Sequence, residues 1–290
     1  MTSITLTKHH GLGNDVLVWL ADDAGIGAGA RSVPAAALPP SSWPALARRL
    51  CDRRRGIGAD GLLIGSAVYP SSNACPDIAM TLHNADGSPA EMSGNGIRCF
   101  AQAVASARRQ IGGSLRIVTT AGERVVAMTP TPDPATILAS VSMGAVNDIA
   151  APGQWAELGV DPLRPVLHLT LGNPHSVVAV DDVLAVDLEA LGAIVPHINL
   201  EIVEAGPEPH AITMRVHERG AGVTEACGTG ACAAAHAAVR WGLVQGQPRE
   251  ITVHMDGGDA KVRLDDPVGE VTLIGPATYV ATIVVDVEGD

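Results

Sequence analysis

Aromatic side chains are scarce in this chain of 290 residues, in which phenylalanine, tyrosine and tryptophan together supply 2%. Hydrophobic residues nevertheless make up 47% and charged residues 17%, so the chain can bury a sizeable core, which must be mostly aliphatic and rich in alanine. The length fits one large domain or two moderate ones. Basic residues are also few, and the net charge of −12 argues against a nucleic-acid partner, which would require a basic face.

Long apolar runs are missing as well. No stretch reaches the roughly 20 residues that a membrane-spanning helix needs, and the first ten residues lack the apolar centre of a signal peptide. The sequence therefore predicts a cytoplasmic protein with no membrane partner.

Signals for metals and cofactors are weak. Cysteine occurs at positions 51, 75, 99, 227 and 232, an odd number that does not indicate a disulfide framework in a chain without a secretion signal. No CxxC or HExxH spacing is present, so no metal site is predicted. Pyridoxal phosphate needs a Schiff-base lysine, and the only lysines, Lys8 and Lys261, lie outside any Gly/Ser-rich phosphate-binding context. We therefore predict that the protein uses no cofactor.

Short strands dominate the pattern along the chain. In the first half we predict strands at 4–7, 16–20, 62–65, 77–83, 114–120 and 124–129, a helix from Pro44 to about Arg54, and a hairpin turn at Ala121-Gly122. In the second half we predict strands near 137–143, 166–171, 176–180, 211–217, 251–255 and 260–264. Alanine-rich helices are expected near 96–109 and 230–241, a long surface loop at 21–42, and a crossing between the halves at 130–134.

An internal repeat is the strongest feature of the sequence. Glu91-Met-Ser-Gly-Asn-Gly96 precedes the first alanine-rich helix, and Glu225-Ala-Cys-Gly-Thr-Gly230 precedes the second. In this alignment Ser93 matches Cys227. The repeat predicts two similar halves, each presenting a loop-to-helix turn.

Such turns suit the removal and return of an α-proton. A Gly-x-Gly turn exposes backbone N–H groups at the positive end of a helix, where they bind a carboxylate and are expected to lower the pKa of a cysteine there, such as Cys227. Two facing turns would hold one α-carboxylate and place Ser93 and Cys227 on opposite sides of the α-carbon, which is the arrangement of a two-base racemase. Cys99 and Cys232 lie inside the helices and are expected to pack in the core, and no role is predicted for Cys51 or Cys75.

Seven motifs in order along nearly the whole chain resemble those of the diaminopimelate epimerases. They are His10-Gly-Leu-Gly-Asn-Asp15, Gly56-Ile-Gly-Ala-Asp60, Asn84-Ala-Asp-Gly-Ser88, Gly94-Asn-Gly-Ile-Arg-Cys99, Gly172-Asn-Pro-His175, Glu218-Arg-Gly-Ala-Gly222 and Ala226-Cys-Gly-Thr-Gly-Ala-Cys232.

The resemblance implies an α/β (α+β) fold of two pseudo-symmetric halves, each a curved, mostly antiparallel sheet wrapped around a central helix. It implies an N-terminal half of residues 1–133 plus 277–290, a C-terminal half of residues 134–276, and an active site in the cleft between them. It also implies a homodimer and the cofactor-independent conversion of LL- to meso-diaminopimelate, a precursor of lysine and peptidoglycan.

The resemblance also assigns the site residues. Cys227 is implied as one catalytic base, with the residue at position 93 as the other. The implied substrate-binding residues are Asn14, Asn84, Gly94, Asn95, Asn173, Asn199, Glu218, Arg219, Gly228 and Thr229. Arg219 would bind a carboxylate, and the amide side chains would bind the distal end of a substrate that is polar at both ends. His175 would either orient a base or simply form hydrogen bonds.

Ser93 departs from the family, which has cysteine at this position. Because a hydroxyl is a far weaker acid than a thiol, the two-base mechanism should be impaired in at least one direction. Two explanations are open. The chain is a Cys→Ser variant, which the intact state of the other motifs favours, or Ser93 is native and the protein uses one base, for an elimination or for one-sided exchange.

Three other functions are open. A cysteine hydrolase would use Cys227 with His175 and an oxyanion hole at the Gly228 turn, but it leaves the matched turn at Ser93 without a purpose. An inactive homologue would bind an amino acid without exchanging its α-proton. A related racemase would act on another amino acid, an alternative that Gly61 favours because it offers no side chain to the pocket.

Overall fold

The computed structural model describes residues 2–21, 38–67, 78–110, 112–246, 249–265 and 269–287. Most of the loop expected at 21–42 lies outside these residues, as do Cys75 and the first residue of the strand expected at 77–83. The chain forms two compact units: Met1–Val141 with Pro276–Asp290, and Ser142–Gly275.

In the described residues, the first unit is built from strands and two α-helices. Its elements are β1 (Thr2–Gly11), β2 (Asn14–Leu20), α1 (Trp43–Cys51), β3 (Gly61–Ser66), β4 (Ile78–Asn84), β5 (Pro89–Ala90), α2 (Gly94–Ala107), β6 (Gly113–Thr119), β7 (Gly122–Pro130) and β8 (Thr136–Ala145), which runs on into the second unit. The strands pair in the order β1-β2-β3-β4-β6-β7-β8, with β2–β3 and β4–β6 parallel and the other pairs antiparallel.

The second unit repeats this connectivity. Its elements are β9 (Asn147–Asp148), β10 (Val166–Thr170), β11 (Pro174–Ala179), α3 (Leu188–Ile194), β12 (Asn199–Ala205), β13 (Ala211–Glu218), β14 (Gly222–Thr224), α4 (Gly228–Trp241), β15 (Glu250–Met255), β16 (Gly258–Asp265) and β17 (Glu270–Val287), which ends in the first unit. The strands pair in the order β10-β11-β12-β13-β15-β16-β17, again with the second and fourth pairs parallel. The predicted fold class, two pseudo-symmetric α/β halves with mostly antiparallel sheets, is therefore confirmed.

One helix occupies the core of each unit. In α2 every residue from Gly94 to Ala105 is buried, and in α4 the buried residues include a run of small side chains from Ala231 to Ala235. Small side chains allow strands to approach a helix from several sides without leaving voids. Cys99 and Cys232 are fully buried within these helices, which confirms that they pack in the core.

The core is aliphatic, as the composition predicts. Among the described residues, the aromatic side chains in the buried hydrophobic set are Trp19, Trp43 and Phe100. Burial of many aliphatic side chains, each contributing about 1.5–3 kcal/mol when fully buried, provides the main favourable term for folding.

Five strands were not predicted from the sequence, and three of them, β5, β9 and β14, have only two or three residues. The other two are longer. The first is β12, whose apolar run contains a charged residue, Glu201. The second is β17, in which Gly275-Pro276 indicates a break. The break is avoided because residues 270–274 pair with β16 and residues 278–287 pair with β1, so Pro276 lies between the two ladders, where its missing N–H costs little.

Several element boundaries also differ from the prediction. Helix α1 ends at Cys51 rather than Arg54, because the Asp52 carboxylate accepts hydrogen bonds from the backbone N–H groups of Arg54 and Arg55 and forms a turn. The β6–β7 turn consists of residues 120–121, and Gly122 is the first residue of β7. Helices α2 and α4 each begin two residues earlier than predicted.

A substitution of Gly192 in α3 would test how tightly the second unit is packed. A Cβ atom at this position would lie 2.0 Å from Cγ of His217, whose ring is buried. Gly192→Ala should therefore lower the free energy of unfolding by about 1–3 kcal/mol, although alanine is the better helix former. Denaturant unfolding measures the change. Gly153→Ala is the matched control, because its Cβ meets no atom within 4 Å; equal stability of the two variants would contradict the predicted clash.

Candidate active site

Ser93 is the N-cap of α2. Its backbone is extended (φ −135°, ψ 122°), and its Oγ accepts a hydrogen bond of 2.9 Å from the backbone N–H of Gly96. A Cβ at Gly96 would lie 3.0 Å from Cβ of Ser93, so a larger residue there would crowd this close turn. The first residues of α2 thus direct backbone N–H groups toward the position of the hydroxyl.

Cys227 occupies the equivalent position in α4. Its backbone is again extended (φ −123°, ψ 115°), and its Sγ accepts a hydrogen bond of 3.4 Å from the backbone N–H of Gly230. A Cβ at Gly230 would lie 3.2 Å from Cβ of Cys227 and 2.7 Å from Oε1 of Glu201. The two loop-to-helix turns predicted from the repeat are therefore confirmed as matched N-caps.

A buried arginine organises the Ser93 turn. The Arg98 guanidinium donates to the carbonyl oxygen of Gly94 at 2.8 Å and to Oδ1 of Asn95 at 2.7 Å, and its Nε donates to the carbonyl oxygen of Pro276 at 3.3 Å. Arg98 is fully buried and Asn95 nearly so. The guanidinium adds positive charge to the helix end, which favours an anion at this turn.

The Cys227 turn has the opposite electrostatic character. Burial, the largest effect, raises the pKa of the Cys227 thiol well above its ordinary value, and the nearby carboxylates of Glu218 and Glu201 raise it further. The Thr229 hydroxyl, 3.5 Å from Sγ, and the Gly230 N–H oppose this shift but do not overcome it. The expectation that the helix end holds Cys227 as a thiolate is therefore wrong for this structure, because desolvation and two carboxylates outweigh two hydrogen bonds.

The protonation of Cys227 has a measurable consequence. Alkylation by iodoacetamide requires the thiolate, so modification of Cys227 should stay slow at neutral pH and accelerate only above the ordinary pKa of a thiol, about 8.5. Peptide-resolved mass spectrometry would follow Cys227 separately from the other cysteines. Rapid modification that does not change between pH 6 and pH 8 would show that the thiol is already ionised.

A buried carboxylate and a histidine lie behind Cys227. Nδ1 of His175 is 2.6 Å from Oε1 of Glu201, and Nε2 of His175 is 3.1 Å from Oδ1 of Asn173. Asn173 in turn donates through Nδ2 to the Thr229 hydroxyl at 3.2 Å. His175 and Glu201 are fully buried, and burial, the largest effect, raises the pKa of Glu201. The structure thus brings Asn173, His175, Thr229 and Cys227 together.

Asn199, Glu218 and Arg219 belong to the same unit. The Asn199 amide donates to the carbonyl oxygen of Pro174 at 3.2 Å and accepts from the backbone N–H of Arg219 at 2.9 Å, so it fixes the turn that carries Arg219. The Arg219 side chain is exposed. Glu218 accepts a hydrogen bond of 2.6 Å from the Thr224 hydroxyl.

Asn14 and Asn84 lie in the first unit. Asn14 donates through Nδ2 to Oδ2 of Asp60 at 2.9 Å, and Asp60 also pairs with Arg53. This bond fixes the Asn14 amide and leaves its carbonyl oxygen available as an acceptor. Asn84, at the end of β4, donates to the Ser88 hydroxyl at 3.0 Å.

Sequence reasoning missed two buried charged residues at these turns, Glu201 and Arg98. Each has a signal that points to it. Glu201 is a carboxylate inside the apolar run of β12, and Arg98 is a cation inside the apolar part of α2. A charge at a core position requires a partner or a function.

No group of three or more His, Cys, Asp or Glu side chains in the described ranges is placed to share a metal ion. In the same ranges, none of the helices combines the length and apolar character needed to cross a membrane.

The fold of this chain is shared by solved structures that include proteins named as epimerases. Solved structures with this fold include a predicted epimerase from Pseudomonas aeruginosa (TM-score 0.71, 13% identity, 98% of this chain and 100% of that one). A hydroxyproline epimerase from Agrobacterium vitis, determined with bound trans-4-hydroxy-L-proline, has a TM-score of 0.63 at 15% identity and covers 98% of this chain and 92% of its own.

Sequence comparison gives the family. The diaminopimelate epimerase family model matches residues 6–149 and 168–280. A diaminopimelate epimerase from Desulfitobacterium hafniense is 38% identical over 292 aligned residues, which cover 95% of this chain and 95% of that protein. A diaminopimelate epimerase from Streptomyces coelicolor is 37% identical over 298 aligned residues, which cover 97% of this chain and 94% of that protein. The chain belongs to the diaminopimelate epimerase family.

Proposed function

We propose that the protein interconverts LL- and meso-diaminopimelate without a cofactor, with Cys227 and Ser93 as the two acid–base positions. The observation that carries this proposal is the matched geometry of the two N-caps, which share extended backbones and the same hydrogen bond from the glycine N–H three residues later. Family membership and relatives named diaminopimelate epimerase support the choice of substrate.

The helix ends supply the electrostatic part of the mechanism. Backbone N–H groups of Gly94, Asn95, Gly228 and Thr229 at the starts of α2 and α4 would hold the α-carboxylate and stabilise the carbanion formed when the α-proton leaves. Arg98 adds positive charge at one turn, whereas Glu201 and Glu218 add negative charge at the other.

The charges assign the two positions different roles. Cys227 holds its proton because of burial and its two carboxylate neighbours, so it is suited to donate a proton to the carbanion. Ser93 would have to remove the α-proton on the other face, and no residue nearby in the sequence is an obvious general base to activate its hydroxyl. The reaction is therefore expected to be impaired, most strongly in the direction that requires Ser93 as the base.

The distal end of the substrate would be bound by polar side chains. We assign this role to Asn14, Asn84, Asn173, Asn199, Glu218 and Arg219. The fixed amide of Asn14 presents its carbonyl oxygen to an ammonium group, and the exposed Arg219 is available to a carboxylate. Such a set requires a substrate that is charged at both ends.

Incubation with LL-diaminopimelate in heavy water tests the function. Deuterium uptake at the α-carbon, with or without the meso product, is the expected result. A parallel competition series with amino acids that carry one carboxylate tests the substrate. Tighter binding of a monocarboxylate would instead support a racemase for another amino acid, and thermal stabilisation without any exchange would support an inactive binding protein.

We also propose that the protein acts as a cytoplasmic homodimer. The exposed apolar side chains of Tyr279, Val280 and Val284 on β17 are suited to contact a second copy. Sedimentation equilibrium measures the mass in solution, and a monomer at all concentrations would reject the dimer.

A further inference from the structure

Five side chains form a continuous hydrogen-bonded chain that ends at the Cys227 sulfur. The links are Glu201 Oε1 to His175 Nδ1 at 2.6 Å, His175 Nε2 to Asn173 Oδ1 at 3.1 Å, Asn173 Nδ2 to Thr229 Oγ1 at 3.2 Å, and Thr229 Oγ1 to Cys227 Sγ at 3.5 Å. Four of the five residues are buried, and Asn173 is half-buried.

The orientation of the Asn173 amide determines which group donates and which accepts at each of these hydrogen bonds. Because its Nδ2 donates to Thr229, its Oδ1 faces His175 and can only accept, so Nε2 of His175 carries a proton. Oγ1 of Thr229 accepts from Asn173, which leaves the Thr229 hydroxyl proton free to point at Sγ of Cys227. In this arrangement the sulfur accepts hydrogen bonds from Thr229 and from the Gly230 N–H, both of which favour the thiolate.

The opposite direction is available to the same side chains. A carboxylate only accepts, so an ionised Glu201 beside a neutral His175 places the ring proton on Nδ1 and makes Nε2 an acceptor. The Asn173 amide then turns over and donates to Nε2, its oxygen accepts the Thr229 hydroxyl proton, and Oγ1 of Thr229 accepts from the S–H of Cys227. In this change the Glu201–His175 pair releases one proton to solvent and Cys227 takes one up from solvent to become the thiol, so the total number of protons is unchanged.

We propose that Glu201 is a positioning residue that controls the protonation of Cys227 through His175, Asn173 and Thr229. The role of this control in catalysis rests on the proposed function. The hydrogen-bonded side chains would determine how readily Cys227 gives up its proton during α-proton transfer. Two features of Glu201 support it. Its Oε2 has no hydrogen-bond partner among the described residues, and its Oε1 lies within 2.7 Å of where a Cβ at Gly230 would be, directly against the first turn of α4.

The negative charge of Glu201, acting through space, is a rival explanation for an effect of Glu201 on the protonation of Cys227. Glu218 on β13 and Glu201 on β12 both raise the pKa of Cys227 by their negative charge, and His175 on β11 and Glu218 are the charged or titratable groups that act on Glu201. A through-space effect of Glu201 needs no intervening hydroxyl. The two explanations therefore differ in whether Thr229 is required.

The test is a thiol titration of variants in the full-length protein. The ultraviolet absorbance of the thiolate is followed against pH, and the signal of the Cys227→Ala protein is subtracted. Glu201→Gln removes the carboxylate and retains a side chain that can donate to Nδ1, so we expect the pKa of Cys227 to fall by about one unit, a tenfold change in the ionisation equilibrium. Glu204→Gln, on the same strand but hydrogen-bonded to the backbone N–H of Val183, is the matched control and should change nothing.

A double-mutant cycle distinguishes an effect of Glu201 that passes through the hydrogen-bonded side chains from an effect of its charge alone. In the Thr229→Val background, the shift caused by Glu201→Gln should fall to half or less, and in the Thr229→Ser background, which retains the hydroxyl, it should return. An equal shift in the valine and threonine backgrounds would overturn the proposal in favour of charge alone, and so would the absence of any shift in Glu201→Gln.

These measurements need no substrate, so their outcome is independent of the assigned reaction. Failure of α-proton exchange with every amino acid tested would reject the proposed function and leave the link between Glu201 and Cys227 standing. If exchange is observed, Glu201→Gln should also shift its pH profile toward lower pH, which a purely structural role of Glu201 would not do.

Discussion

Ser93→Cys is expected to accelerate the epimerisation of LL-diaminopimelate by about 10²–10⁴-fold, the usual contribution of a well-placed general base. The thiol would replace the hydroxyl at the N-cap of α2, where the Gly96 N–H and the positive charge around Arg98 both favour a thiolate. This turn differs from the Cys227 turn, where two carboxylates raise the pKa of the thiol. The initial rate of meso product formation measures the effect.

Ser93→Ala is the control for this experiment. It removes the hydroxyl and its hydrogen bond to Gly96, at a cost of about 1 kcal/mol in stability, and should be as slow as the chain with Ser93 if serine is not an effective base. A Ser93→Cys protein that is no faster than either would show that position 93 is not the second acid–base group. Full activity of the chain with Ser93 would instead support a one-base reaction.

Cys227→Ala should lower α-proton exchange by at least about 10³-fold, because it removes the thiol that we propose as an acid–base group. Substrate binding should change little, because the backbone N–H groups of the α4 turn remain. Deuterium uptake from heavy water measures the chemistry, and ligand-dependent thermal stabilisation measures binding.

Cys232→Ala provides the matched control. Cys232 lies in the same helix and is fully buried, so its truncation leaves a small cavity and lowers stability, yet exchange should persist. Loss of exchange in the Cys232 variant, or its retention in the Cys227 variant, would contradict the assignment of Cys227.

The sequence by itself determined the repeat and the fold class. Glycine at positions 96 and 230 and a capping side chain three residues earlier specify a loop-to-helix turn through local geometry alone, so the matched turns at Ser93 and Cys227 were predictable. The alanine-rich helices were also predictable, because small apolar side chains on all faces of a helix indicate full burial. Boundaries were less accurate, since hydrogen bonds such as those of Asp52 end an element within a residue or two.

Strand β17 required tertiary information. Its Gly275-Pro276 pair predicts the end of a strand. The pair is tolerated within β17 only because the strand changes its pairing partner from β16 to β1 at that point. Pairing between residues far apart in sequence decides whether a missing N–H is costly, and no local pattern contains that information.

The electrostatics of Cys227 were decided by tertiary structure alone. A helix N-terminus predicts a lowered thiol pKa, and the prediction failed because folding buries the thiol and brings Glu201 from β12 and Glu218 from β13 beside it. Desolvation and through-space charge depend on which strands surround the helix. The sequence therefore identified the cysteine and its turn, and only the packed structure fixed the proton that Cys227 carries, because a pKa is a property of the surroundings rather than of the residue.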